Sequence, residues 1–344
     1  MALISIILPV HNGAATLSGA IESCLGQSHH EIELIIVDDA STDSTPSILQ
    51  EWSTRDDRIR LCQATPHSGV AAAFQLGLHQ ARGEWIARMD ADDINHPQRL
   101  EKQLALFQSR PELDAVSCLV EICKRTPTGD LSPANEGYQR FATWLNSLTK
   151  PHSIAAQRFI DQPVVNPSML VRRSAFDRLG SYRTDLDWAE DYDFWLRLLH
   201  VGGQIAKAPE TLFTWTDHDT RLTRTHADYT HDAFTRCKAH FLAQLPQVQQ
   251  RGVAVLGAGP IGKALAQALQ TEQVHICHFY EVHPRRIGEV IHQTNVLPLD
   301  ALAHCQSHGP IALGSVGQPG KRQFLLNLAL ERGYTEGLDF FSVA

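Results

Sequence analysis

The sequence predicts an α/β fold in two successive units. Three observations carry this reading. Apolar runs of strand type alternate with helical patterns from the start of the chain, two of those runs end abruptly in acidic clusters, and a fresh strand–glycine–helix pattern opens near residue 252. The chain has 344 residues, which suits two domains at ~150 residues each. Apolar residues make up 43% and charged residues 20%, enough for buried cores and unlike a disordered or fibrous chain. Lys and Arg number 30 against 38 Asp and Glu, a formal charge of −8, which excludes a protein that coats nucleic acid through basic excess. No stretch approaches the ~18 apolar residues of a membrane helix. The opening MALISIILPV has neither a basic leader nor a small-residue cleavage site, so it reads as a first strand rather than a signal peptide. The seven cysteines (Cys24, Cys62, Cys118, Cys123, Cys237, Cys277 and Cys305) are scattered and never spaced as CxxC. Neither a disulfide framework nor a zinc site is expected, and a reducing cytoplasm fits.

Leu3–Val10 is an Ile-rich first strand, followed by a polar turn at His11–Gly13 and a helical stretch at Leu17–Leu25. Glu33–Val37 is the next buried strand and runs into Asp38 and Asp39. Ser44–Trp52 reads as a helix with Asp43 capping it, Ile59–Cys62 as a short strand, and Val70–Ala81 as an Ala-rich helix closed by Gly83. Trp85–Met89 is a strand that runs into Asp90, Asp92 and Asp93; Pro97 then suits the first turn of a helix reaching Gln108. From Lys124 to Leu148, Pro, Gly and Asn interrupt the pattern, and a variable connection is expected. Asp191–His200 regains a helical face through Phe194, Trp195, Leu198 and Leu199. A helix over His231–Leu245 leads to Pro246 and a Gln-rich segment. The boundaries expected are therefore a first domain over 1–245, a linker at 246–250 and a second domain over 251–344.

In parallel sheets ligands bind beyond the carboxyl ends of the strands. Two strands here end in acids, Asp38-Asp39 and Asp90/Asp92/Asp93. Carboxylates this dense repel one another unless a cation or a hydrogen-bonding ligand sits between them. Hard divalent ions such as Mg²⁺ or Mn²⁺ take oxygen ligands and bind through one or two carboxylates plus phosphate oxygens. No run of Lys or Arg lies nearby that could hold a diphosphate instead.

Four blocks carry a resemblance: Leu8-Pro9-Val10-His11-Asn12-Gly13, Ile36-Val37-Asp38-Asp39-Ala40-Ser41-Thr42-Asp43, Met89-Asp90-Ala91-Asp92-Asp93 and Ala189-Glu190-Asp191-Tyr192-Asp193-Phe194-Trp195. In order and spacing they resemble the family-2 glycosyltransferases of GT-A fold, over roughly Leu3–Leu245. The resemblance implies a nucleotide-diphospho-sugar transferase domain that moves a sugar to an acceptor hydroxyl with inversion, in polysaccharide or glycoconjugate synthesis. It implies donor contacts at Pro9, His11, Asp38, Asp39 and Asp90, a divalent cation (Mn or Mg) at Asp92 with His218, and Asp93 in support. It implies Asp191 as the base that takes the acceptor proton, with Glu190 in reserve, whereas Asp193 projects from another part of the helix and is structural. Thr214–His218 and Arg221–Arg224 resemble the family's late loop, where His218 reaches metal or diphosphate and basic residues reach phosphate. Arg88 faces either the donor phosphates or the opposite side of its strand. The family usually has Tyr at the position of His11, and often Arg and Asn where Phe74 and Gln75 stand. Implied partners are a nucleotide-sugar donor and a glycan or lipid-linked acceptor, with no nucleic acid, in the cytoplasm or peripherally at the inner face of a membrane.

Val253–Leu256, Gly257-Ala258-Gly259-Pro260-Ile261-Gly262 and a helix over Lys263–Gln270 form strand–GxGxxG–helix, and the next strand, His275–Tyr280, ends in Glu281. This resembles small Rossmann-like nucleotide-binding modules. Gly257, Gly259, Gly262 and Glu281 are the candidate contacts for NAD(P) or another nucleotide; an interaction or structural role is the alternative. Gly314–Gly317 reads as a turn. Two other functions remain open. A nucleotidyltransferase needs a basic glycine loop near the first strand, which Asn12–Ala15 lacks, and an NAD-dependent sugar oxidoreductase would rest on the C-terminal glycines alone. A pure binding module is disfavoured by the acid clusters.

Overall fold

The computed structural model of the chain describes residues 2–126 and 129–344. They divide into two compact units: Met1–Pro151, Val164–Leu186 and Asp193–Arg224 form the first, and His152–Pro163, Asp187–Tyr192 and Thr225–Ala344 form the second. The chain therefore passes between units several times, instead of once near residue 246.

The first unit holds strands β1 (Ile4–Val10), β2 (Ile32–Asp38), β3 (Ile59–Gln63), β4 (Trp85–Arg88), β5 (Ile94–Asn95), β6 (Ala115–Arg125), β7 (Leu131–Pro133), β8 (Leu170–Arg172) and β9 (Ile205–Asp217). Among the described residues they order as β3-β2-β1-β4-β8-β6-β9-β5, with β7 on β6. Strands β3, β2, β1 and β4 are mutually parallel, which brings their carboxyl ends to one edge. The far half is mixed: β8 runs antiparallel to β4 and β6, and β6 runs parallel to β9. β1 and β2 are buried along their whole length, as expected of strands covered on both faces. Leu34 and Ile36 turn into one core with Leu17, Ile21 and Cys24 of the helix Leu17–Leu25. Ile35 and Val37 turn the other way, onto Ala73 of the helix Val70–Gln80.

Two expectations are corrected here. The stretch 124–148, read as a variable connection, contains the end of β6, strand β7 and a helix, Glu136–Ser147; residues 127 and 128 of it lie outside the described residues. Asn135 caps that helix by accepting from the Tyr138 amide at 3.0 Å, so the polar residue that looked like an interruption is a start signal. The stretch Thr214–Asp217, read as part of a loop, is the end of the long strand β9.

In the second unit, strands β10 (Val253–Leu256), β11 (Ile276–Glu281), β12 (Val290–Ile291), β13 (Thr294–Pro298), β14 (Ile311–Gly314) and β15 (Phe340–Ser342) order as β12-β13-β11-β10-β14-β15. All neighbours except the β12–β13 pair are parallel. Without the short β12, the order is third-second-first-fourth-fifth, that of a doubly wound parallel sheet. Residues 246–250, expected as a linker, lie in a helix, Pro246–Arg251, whose Val248 is fully buried. No helix among the described residues is long and apolar enough to cross a membrane.

Candidate active site

The parallel edge of the first unit gathers the expected donor residues. Pro9 is buried in β1, and His11 follows its end. Asp38 closes β2, and its Oδ1 accepts from the Ser41 amide at 3.0 Å. Asp39, also buried, works harder for its own loop than the sequence suggested. Its Oδ1 accepts from the amide (2.8 Å) and hydroxyl (2.9 Å) of Ser68, and its Oδ2 from the Gly69 amide at 2.8 Å. Its main-chain oxygen takes Nδ1–H of both His11 (2.8 Å) and His67 (3.1 Å), which fixes the hydrogen of each ring on Nδ1, since a carbonyl only accepts. The two rings lie 4.2 Å apart, centroid to centroid. His67 was missed because a lone exposed His in a loop has no periodic or motif signal. Asp43 does serve the helix Thr45–Arg55, accepting from the Thr45 amide at 2.9 Å.

Beyond β4, Asp90, Asp92 and Asp93 each offer a carboxylate oxygen, the three lying within 4.8 Å of one another. Contrary to the sequence expectation, basic side chains do balance them. Arg88 turns toward the acids and holds Asp90 Oδ1 from Nε (3.0 Å) and Nη2 (2.7 Å). Buried Arg221 reaches all three acids, at 3.5 Å to Asp90, 3.3 Å to Asp92 and 3.2 Å to Asp93, with its guanidinium 4.4 Å from the Trp215 ring centre. His218 Nε2 lies 2.8 Å from Asp92 Oδ2. Arg224 is taken up by Asp217 through two contacts of 2.8 and 2.7 Å.

The electrostatics of the acids diverge. Burial pushes Asp92 up, but Arg221 and His218 outweigh it and hold its carboxyl below the usual range. Asp93 is driven well above that range by burial, with Asp92 and Asp90 adding repulsion against the pull of Arg221. It also accepts from the Thr216 amide at 2.7 Å. The all-oxygen donor set of Asp90, Asp92 and Asp93 fits a hard divalent ion, with Arg221 as the resident counter-charge that such an ion would have to share or displace.

Glu190 and Asp191 open the helix Glu190–His200 and belong to the second unit. Asp191 Oδ2 accepts from Gln162 Nε2 at 2.9 Å and Oδ1 from the Tyr192 amide at 2.7 Å, while Glu190 Oε2 accepts from the Tyr229 hydroxyl at 2.6 Å. Asp193, in the first unit, is fully buried and pairs with Arg183 and with Arg197 Nε at 2.8 Å.

A model for "Glycosyl transferase family 2" matches residues 5–180, just over half of the chain. The chain belongs to glycosyl transferase family 2. It is a glycosyltransferase and hence a transferase enzyme. Bacillus subtilis TuaG, whose name assigns it to teichuronic acid biosynthesis, is 33% identical over 43% of this chain and 73% of its own length. Among solved structures, Staphylococcus aureus TarS 1–349 with UDP-GlcNAc matches with a TM-score of 0.55 at 17% identity, over 78% of this chain and 72% of that one. The mannosyltransferase PcManGT of Pyrobaculum calidifontis, in complex with GDP-Man and Mn²⁺, matches with a TM-score of 0.50 at 21% identity over 78% and 72%. These likenesses show the GT-A fold.

In the second unit, the expected glycine turn forms between β10 and the helix Pro260–Thr271. Gly257 has φ +116°, a conformation side chains resist, and a Cβ on Gly262 would lie 2.1 Å from the Gly257 oxygen. Gly259 faces more open space, with Arg286 Nη1 3.6 Å from a Cβ built there. Glu281, expected to meet a ribose, accepts from the amides of Ala258 (3.2 Å), Val282 (2.8 Å) and His283 (3.2 Å) and from Arg286 Nη1 (3.2 Å). Ser315 donates to the carbonyls of Leu256 (3.0 Å) and Gly257 (2.9 Å), so Gly314–Gly317 serves the turn itself.

Proposed function

We propose that this glycosyltransferase moves a sugar, with inversion, from a nucleoside diphosphate donor to a hydroxyl of a glycan or lipid-linked acceptor, in polysaccharide or glycoconjugate synthesis. The observation that carries it is the convergence of Asp90, Asp92 and Asp93, flanked by His218, Arg88 and Arg221, at the carboxyl edge of a parallel sheet. Nucleoside diphosphate sugars in two fold relatives, Mn²⁺ in one of them, and a relative named for teichuronic acid synthesis favour the same reading. A divalent ion bound by these carboxylates would supply Lewis-acid stabilisation of the departing diphosphate. His11 offers a ring face to the donor base, and the strand-end turns of Asp38 and Asp39 shape that pocket. Arg88 and Arg221 lend positive charge beside the phosphates. Asp191 accepts the proton of the acceptor hydroxyl as its oxygen attacks the anomeric carbon.

The test is calorimetry of the full chain with UDP-, GDP- and dTDP-sugars, each with Mn²⁺ and with EDTA. Binding of one donor class that collapses in EDTA is expected. Equal binding and transfer in EDTA would overturn the metal's role, and binding of no donor would overturn the reading.

A further inference from the structure

The carboxylate pair Glu190-Asp191 sits inside the second unit, and the contacts that hold it lead to strand β15. Resting on the reading of Asp191 as the base, we propose that the C-terminal unit serves as the bracket that positions this pair, with Gln162 as the positioning residue in contact with Asp191. The chain of contacts is continuous. Gln162 donates to Asp191 at 2.9 Å, and four residues earlier the Arg158 main-chain oxygen accepts from the Tyr192 hydroxyl at 2.6 Å. The short segment 158–162 thus grips the start of the catalytic helix at two points. That segment is itself tied down by the C-terminal strand. The Phe159 ring meets Phe341 edge-on at 5.5 Å, both being buried, and the Arg158 guanidinium lies 5.3 Å from the same Phe341 ring. Lys238, from the helix His231–Ala243, donates to the Ile160 oxygen at 2.7 Å and to the Val343 oxygen at 3.1 Å, a single ammonium joining the gripping segment to the residue that follows β15. Phe234 of that helix stacks on Tyr192 at 5.1 Å and 20°. Fully buried aromatics and a two-carbonyl ammonium clamp are stiff partners, and a base must be held within a fraction of an ångström to be effective.

On this proposal a chain cut near Gln247 loses part of what holds the pair. Removing β15 and the residues after it would take away Phe341 and Val343, on which the segment carrying Gln162 rests.

The experiment uses the full chain with three variants: Lys238→Met, which cuts the clamp, Gln162→Leu, which cuts the last contact, and Asp191→Asn as the control. The first readout is amide hydrogen exchange and needs no substrate. Lys238→Met is expected to speed exchange in peptides covering 152–163 and 187–193, the Tyr192 amide included, while peptides over 32–39 and 85–93 keep the wild-type rate. Unchanged exchange at 187–193, or an equal rise everywhere, overturns the bracket. The second readout is release of nucleoside diphosphate, with UDP-GlcNAc and GDP-mannose as probes in Mn²⁺, beside the donor Kd. Gln162→Leu is expected to lower kcat about tenfold or more, within the ~10²–10⁴-fold worth of the base it serves, at unchanged donor Kd. If Asp191→Asn loses turnover while Gln162→Leu does not, the positioning role fails and the base reading stands. If Asp191→Asn keeps turnover, the base reading itself fails.

Discussion

Both units end parallel strands in an acid beside a turn, yet the two acids have different occupations. At the edge of the first unit three carboxylates crowd within 4.8 Å and remain balanced by side chains that arrive from elsewhere in the chain. In the second unit Glu281 spends its oxygens on the amides of Ala258, Val282 and His283 and on Arg286. The first arrangement gathers carboxylates and cations from distant parts of the chain, and the second uses its acid to build the turn. A motif at a strand end is therefore a statement about backbone geometry first.

The comparison breaks most sharply on the acids. Asp92→Asn is expected to abolish most Mn²⁺-dependent transfer, a loss of about 10²-fold or more given several kcal/mol of charge stabilisation at a reacting centre; initial rates with and without EDTA check it. Glu281→Gln is expected to leave those rates unchanged.

Arg221→Gln probes the counter-charge. Breaking a buried ion cluster costs roughly 3 kcal/mol, so the melting temperature without metal falls. Added Mn²⁺ is expected to raise that temperature more than it does in the wild-type chain, because the competing cation is gone; thermal melts across a Mn²⁺ series decide. An equal Mn²⁺ increment would mean that Arg221 does not share the acids with the ion.

Gly262→Ala and Gly259→Ala sharpen the other side. A Cβ at Gly262 would sit 2.1 Å from the Gly257 oxygen, so overpacking of roughly 1–3 kcal/mol is expected there. Gly259→Ala meets nothing closer than Arg286 at 3.6 Å and is expected to be nearly neutral, as denaturant titration of both would show.

A pH-dependent effect concerns Lys207, a buried residue of β9 whose ammonium donates to the Leu145 oxygen. Burial lowers its pKa from 10.5 to about 7. Between about pH 7 and 10.5 the unfolded chain holds a proton that the folded chain has released, so this group makes stability rise with pH across that window. Below it both states are protonated and the contribution is flat. Melting temperatures of wild type and Lys207→Met from pH 7 to 10 should diverge in that sense, the wild type gaining relative to the variant.

Much of this was legible beforehand. The strands β1, β2 and β4, their acids, the helices between them and the glycine turn all follow from local patterns. The helix Glu136–Ser147 was hidden because its N-cap Asn135 and Gly137 look like loop residues when its apolar face is not yet known to have a partner. The strand β9 was hidden because three exposed residues, Pro209, Glu210 and Thr211, interrupt it, at the point where its register with β6 shifts.

What could be read without coordinates was whatever repeats every two or 3.6 residues, or stands next to something that does. That sufficed for the α/β class, the two acid-ended strands and the family. The partners of those acids required the folded chain. Arg221 and Asp93 are 128 residues apart, and Gln162 and Asp191 are 29 apart, with no sequence period that links them. The assignment of Glu190 and Asp191 to the C-terminal unit is of the same kind. Charge pairing and burial act through space, and sequence separation carries no record of them until the sheet has brought the partners together.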